Sequence, residues 1–125
     1  MVEASPWIAI VDDDPAVLKA LSRLLRTHSF HARTFVSGQE LLAALPTGLP
    51  ECLIVDLQMP EMNGLELQQH LVSNGITIPT ILISAHDDVA LNEHKPGFVA
   101  GLRKPLQEQA LFETIRKAVG TRSTK

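Results

Sequence analysis

Cys52-Leu53-Ile54-Val55-Asp56 is a run of apolar residues that stops on a carboxylate. A strand covered on both faces reads as a continuous hydrophobic run, so this segment predicts a parallel strand with its polar residue at the carboxyl end. The pattern recurs on either side. Upstream, Trp7-Ile8-Ala9-Ile10-Val11 halts at Asp12, Asp13 and Asp14; downstream, Thr80-Ile81-Leu82-Ile83-Ser84 ends on a hydroxyl. Two weaker strands are expected, one from His31 to Phe35 and one from Phe98 to Leu102, the latter interrupted by Gly101.

Helical signals fill the gaps. Pro15 suits a first helical turn, and Val17, Leu18, Leu21, Leu24 and Leu25 recur on one face as far as about His28. Ser37 and Glu40 form an S-x-x-E capping box ahead of Leu41, Leu42 and Leu45, in a helix ending near Pro46 and Gly48. Asn63-Gly64 opens a helix through Leu65, Leu67, Gln68 and Leu71, and Asn74-Gly75 closes it. A helix from Val89 ends by Pro96-Gly97; a last one starts at Pro105 and carries Leu111, Ile115, Ala118 and Val119. Strands alternating with helices imply right-handed crossovers: an α/β fold, a doubly wound five-stranded parallel sheet with helices on both faces.

The bulk properties narrow the function. A chain of 125 residues, 45% hydrophobic and 20% charged, fits one globular domain with its own core. Residues 7–119 are expected to form it, with residues 1–6 as a tail and residues 120–125 as a second tail or the start of a linker. A net charge of -3 and a pI near 5.9 supply no basic field for nucleic acid or anionic lipid. Cys52 stands alone, and Glu3 replaces the basic segment of a leader, so a cytoplasmic location is expected. Nothing approaches the roughly 18 apolar residues of a membrane-spanning helix.

In a parallel sheet of this kind Asp12, Asp13, Asp56, Ser84 and Lys104 converge on one rim. Three carboxylates together repel, and a divalent cation relieves that repulsion. Mg²⁺ suits hard oxygen ligands and is commonly held by one or two carboxylates with phosphate oxygens, with Mn²⁺ as a substitute. The inventory fits phosphoryl transfer: Asp56 as nucleophile, the cation and Lys104 to neutralise charge, and Ser84 as a hydroxyl donor. The plainer readings are an acidic turn capping the first helix for Asp12 to Asp14, a surface lysine for Lys104 and a turn former for Ser84. Convergence weighs against them, though Asp14 by itself reads as a cap. The five histidines lack zinc-ligand spacing, and Cys52 reads as a small apolar packing residue.

Val11-Asp12-Asp13-Asp14-Pro15, Asp56-Leu57-Gln58-Met59-Pro60 with Asn63-Gly64, Ile83-Ser84-Ala85 and Lys104-Pro105 together resemble the motifs of response-regulator receiver domains in two-component signalling. The resemblance runs from about Trp7 to Val119. It implies strand order 2-1-3-4-5, as in the chemotaxis-regulator-like fold. It further implies a phosphoacceptor at Asp56 and Mg²⁺ on Asp13, Asp56 and the Gln58 backbone carbonyl, with Asp12 assisting through water. Ser84 and Lys104 would read the phosphoryl group, and the Lys104-Pro105 peptide would be cis. A histidine kinase or phosphotransfer protein would be the donor, an output domain or downstream protein the recipient, and a homodimer formed on phosphorylation a further partner. The VDDDP and D-L-x-M-P wording is similar to receivers that precede helix-turn-helix output domains in nitrogen-fixation-type regulators.

Two departures fall on the signalling side. Gly101 stands three residues before Lys104, where the family usually carries Tyr or Phe, and Lys95-Pro96-Gly97 shortens the region of the helix before the fifth strand. His86 and Gln58 occupy positions that in the family tune the loss of the phosphoryl group. The leading expectation is therefore a signalling module and not an enzyme. A phosphorylation-independent scaffold is one alternative. An aspartyl-phosphate phosphatase of haloacid-dehalogenase type is disfavoured, because it wants a second Asp where Gln58 stands.

Overall fold

A computed structural model describes residues 6–85, 98–104 and 106–122. In it the chain runs β1 (Ile8–Val11), α1 (Pro15–Thr27), β2 (Ala32–Phe35), α2 (Gly38–Ala44), a 3-10 turn (Leu45–Thr47), β3 (Cys52–Asp56), α3 (Gly64–Ser73), β4 (Thr80–Ser84), β5 (Phe98–Arg103) and α4 (Glu108–Arg122). All strands are parallel and lie in the order β2-β1-β3-β4-β5, the doubly wound sheet expected. The expected helix from Val89, the Lys104-Pro105 peptide and His86 lie outside the described residues.

Alternation along the buried strands divides the core between two faces. Ile8, Ile10, Cys52, Ile54, Ile81 and Ile83 pack with Leu18, Leu21 and Leu25 of α1 and with Leu111, Phe112 and Ile115 of α4. Ala9, Val11, Leu53, Val55 and Leu82 pack with Leu41 of α2 and with Leu67 and Leu71 of α3. Cys52 is fully buried as expected, and burial pushes its thiol up to about 12. Trp7 packs into the second face, and Arg33 lies 4.5 Å over its ring.

The helix termini differ in detail from expectation. Asp14 caps α1, its carboxylate accepting from the Ala16 amide. At α2 the Ser37 hydroxyl accepts from the Glu40 amide, but Glu40 reaches back to the Val36 amide and not to that of Ser37. The reciprocal box forms instead at α3, between Asn63 and Glu66. The last helix begins at Glu108 and continues to Arg122, so residues 120–122, expected in the polar tail, are helical. Residues 116–122 hold no proline, and Gly120, the stop signal after Val119, is carried inside the helix.

Gly64 is where α3 meets the sheet. A Cβ there would stand 2.7 Å from the Asp56 carbonyl oxygen and 3.1 Å from a Leu82 methyl, so only glycine allows this approach. At Gly38 the corresponding obstacle is the flexible Met62 sulfur, at 2.8 Å. Gly64→Ala is therefore expected to lower stability by about 1–3 kcal/mol, and Gly38→Ala to change it by less than about 1 kcal/mol. Urea unfolding measures both; a Gly64→Ala protein as stable as wild type would show that the backbone at Asp56 yields more readily than this packing implies.

Candidate functional site

The carboxyl ends of β1, β3, β4 and β5 bring together Asp12, Asp13, Asp56, Gln58, Ser84 and Lys104. Asp12, directly after β1, is fully buried and Asp56, ending β3, nearly so. Asp13 is exposed, yet each of the three carboxylates places an oxygen within 4.8 Å of the others. Among the described residues this is the group of His, Cys, Asp and Glu side chains suited to a metal, and no histidine belongs to it.

Lys104, following β5, spans the cluster. Its Nζ donates to Asp12 Oδ2 at 3.0 Å and to Asp56 Oδ2 at 3.5 Å. The Lys104 side chain is three-quarters covered by protein. Burial works to lower its pKa, but the hydrogen bond to Asp12 and the charges of Asp56 and Asp12 outweigh this and raise it. Its backbone amide donates to the Ser84 carbonyl at 2.7 Å, so the sheet ladder aims the side chain.

Backbone contacts also fix the two carboxylates. Asp12 Oδ1 accepts from the Asp14 amide at 2.9 Å, and Asp56 Oδ1 from the Gln58 amide at 3.1 Å. The Leu57 amide donates to Ile83 at 2.7 Å. Beyond it, Glu61 adopts φ 71, and the Met62 amide donates to Pro60 in a tight turn. Burial raises the Asp56 pKa; the Gln58 amide opposes this, Asp12 adds to it, and Lys104 compensates only in part.

Two features were not foreseen from the sequence. Ser84, fully buried, donates from its hydroxyl to the side-chain Oε1 of exposed Gln58 at 3.2 Å. Lys104 also holds Asp12 directly, a pairing that the sequence reading did not include. The first contact joins residues 26 apart, and no local pattern signals it. Gly101 pairs with Leu82 in β5, so the position three before Lys104 carries no side chain to turn toward Ser84.

Residues 8–116 match the family model for the response regulator receiver domain. The chain belongs to the response regulator receiver domain family. It is 40% identical over 121 residues to the response regulator protein TodT of Pseudomonas putida, covering 95% of this chain and 53% of TodT. To the transcriptional regulatory protein FixJ of Rhizobium meliloti it is 35% identical over 113 residues, covering 89% of this chain and 55% of FixJ. The chain thus spans about half the length of the curated relatives it matches. A response regulator receiver protein from Burkholderia phymatum superposes with a TM-score of 0.79 at 40% identity, covering 93% of this chain and 96% of that one. Among the described residues of this receiver domain no helix is long and apolar enough to cross a membrane.

The raised Asp56 pKa sets a pH dependence for the metal-free protein. A carboxyl whose folded pKa exceeds its unfolded value favours folding while protonated. That stability is present below the ordinary carboxylate range and is lost as pH rises through the folded pKa. With chelator present, Asp56→Asn is expected to raise stability at pH 7 by on the order of 1 kcal/mol. The gain should shrink toward pH 3 to 4, roughly where a free carboxyl protonates. Thermal melts across pH check this; a gain that grew on acidification would contradict it.

Proposed function

We propose that the receiver domain accepts a phosphoryl group on Asp56 from a phosphohistidine of a histidine kinase or phosphotransfer protein, in a reaction that requires Mg²⁺ or Mn²⁺. The observation that carries this is the placement of a nearly buried Asp56 beside Asp12, Asp13 and the Lys104 ammonium. An Asp56 carboxylate oxygen forms the new bond to phosphorus; the P–N bond of the donor breaks, and its electron pair returns to the imidazole. Lys104 offers positive charge at the acceptor, and the Ser84 hydroxyl is close enough to the rim to donate to a phosphoryl oxygen once it leaves Gln58.

The donor set fits a hard divalent cation. Three carboxylates with one lysine leave a local excess of negative charge, and carboxylate oxygens are ligands that Mg²⁺ accepts. Asp13, Asp56 and the Gln58 backbone carbonyl would hold the ion, with Asp12 assisting, and it would neutralise charge on the phosphoryl oxygens. Residues 7–119 form the functional unit in this reading. It acts in the cytoplasm on an output domain or downstream protein, with a phosphorylated homodimer as one mode. The resemblance to FixJ-type regulators favours a DNA-binding output carried by another domain and not by the receiver.

A second reading, a scaffold that works without phosphorylation, draws on Gly101. With no side chain at that point of β5, movement of Ser84 has no aromatic ring to displace. Partner binding unchanged by Asp56→Asn would favour it.

Intact mass after incubation with acetyl phosphate tests the main reading. One phosphoryl adduct is expected with Mg²⁺, and none with chelator or in Asp56→Asn. Folded wild type that takes up no phosphoryl group would refute it. The Gln58 contact gives a second test. Gln58→Ala removes one acceptor from the Ser84 hydroxyl, and a net hydrogen bond of about 0.5–1.5 kcal/mol predicts a gain of up to roughly 10-fold in affinity for the phosphoryl mimic beryllofluoride. Calorimetric titration reads it; unchanged or weaker binding would mean that Gln58 does not restrain Ser84.

A further inference from the structure

Charge in this chain is unevenly placed. Residues 15–39 contain Lys19, Arg23, Arg26 and Arg33 and neither Asp nor Glu, a local charge of +4 against -7 for the rest. That stretch folds into α1 and β2, and a cleft of about 470 Å³ lies between them. Lys19, Arg23 and Arg26 line it with Ser22 and Thr34, and all three cations are exposed. Arg33 projects to the opposite face of the sheet, over Trp7.

The cleft borders an open sheet edge. Among the described residues β2 is the outermost strand, paired to β1 alone. The Ile8 amide donates to the His31 carbonyl at 2.8 Å and the Asp12 amide to that of Phe35 at 3.1 Å, so the odd-numbered residues of this strand turn their main-chain groups toward β1. Alternation then turns those of Ala32 and Thr34 outward, along the cleft.

We propose that this cleft binds an acidic extended segment of a partner protein, which pairs with the free edge of β2 and sets its carboxylates against Lys19, Arg23 and Arg26. From Pro15 to Arg26 the helix rises about 16 Å, which about five residues of extended chain span. In an added strand alternate side chains face α1, so every second residue would be acidic. Asp13 and Asp14 adjoin Pro15 at one end of the cleft and repel carboxylates there, which biases the segment toward Arg23 and Arg26. The charge of -7 elsewhere argues against a long polyanion such as duplex DNA, whereas a short acidic strand meets only the basic stretch.

The probe is the peptide acetyl-Thr-Glu-Val-Glu-Val-Glu-Thr-amide, titrated into the ¹⁵N-labelled chain. Amide shifts are expected at Ala32, Thr34, Lys19, Arg23 and Arg26. Replacing Glu by Lys in the peptide should abolish them, and N-methylation of the peptide at alternate residues should weaken binding. Arg23→Glu with Arg26→Glu should cut affinity by about tenfold or more, with the circular dichroism and Asp56 phosphorylation of wild type retained. Absence of shifts at β2, or binding indifferent to the charge reversal, overturns the proposal. So does a DNA duplex that binds the cleft where the peptide does not, since the site would then belong to phosphates.

Discussion

An ammonium group set between two buried carboxylates ties the carboxyl ends of β1, β3 and β5 together. Opposite charges about 4 Å apart attract by roughly 4 kcal/mol at an effective dielectric of 20, and desolvation of both partners offsets much of that. The Lys104–Asp12 contact of 3.0 Å therefore defines the site more than it stabilises the fold. One cation does not balance Asp12, Asp13 and Asp56, and Lys104 sits closer to Asp12 than to Asp56. The residue is a nearly buried Asp56 whose pKa is raised despite a lysine at 3.5 Å. A site short of positive charge is a site that gains from a divalent ion.

The surrounding backbone holds this imbalance in place. Gly64 lets α3 close on the Asp56 carbonyl, and the capping box of Asn63 and Glu66 fixes where that helix starts. Between Asp56 and the start of α3, Glu61 takes a left-handed conformation, which costs a non-glycine residue roughly 1–2 kcal/mol. These local interactions sit immediately beyond Asp56 and limit its freedom. An in-line attack benefits from a carboxylate that need not be reorganised at the moment of reaction.

Burial on both faces made the central strands legible from sequence. Cys52–Asp56 and Thr80–Ser84 have the expected limits because each apolar run ends on a polar side chain at the rim. The converging site residues followed from the parallel topology. Contacts that depend on side-chain reach were not legible: Glu40 bonds to Val36, Ser84 to Gln58, and Lys104 to Asp12 across 92 residues. Helix α4 outran its expected end because its pattern of apolar residues stops before its backbone hydrogen bonding does. Propensity and periodicity mark the buried stripe of a helix, not its last turn.

The sheet order also separates two kinds of surface. β5, which delivers Lys104, and β2, which borders the basic cleft, occupy opposite edges, four strand spacings or about 19 Å apart. A group bound at the rim would reach β4 and β5 through Ser84 and Lys104, while α1 meets the site through Asp14, whose amide donates to Asp12, and through Val17 and Leu21, which line one hollow with Lys104. A partner seated against β2 would leave the β4–β5 side open to respond to Asp56. Since β1 lies between β2 and β3 and is buried along its whole length, one route between the edges runs through Asp12, whose carboxylate touches both Asp14 at the start of α1 and Lys104 beyond β5, and another runs from α1 to α4, where His28 stacks on Phe112 and bonds to Glu108.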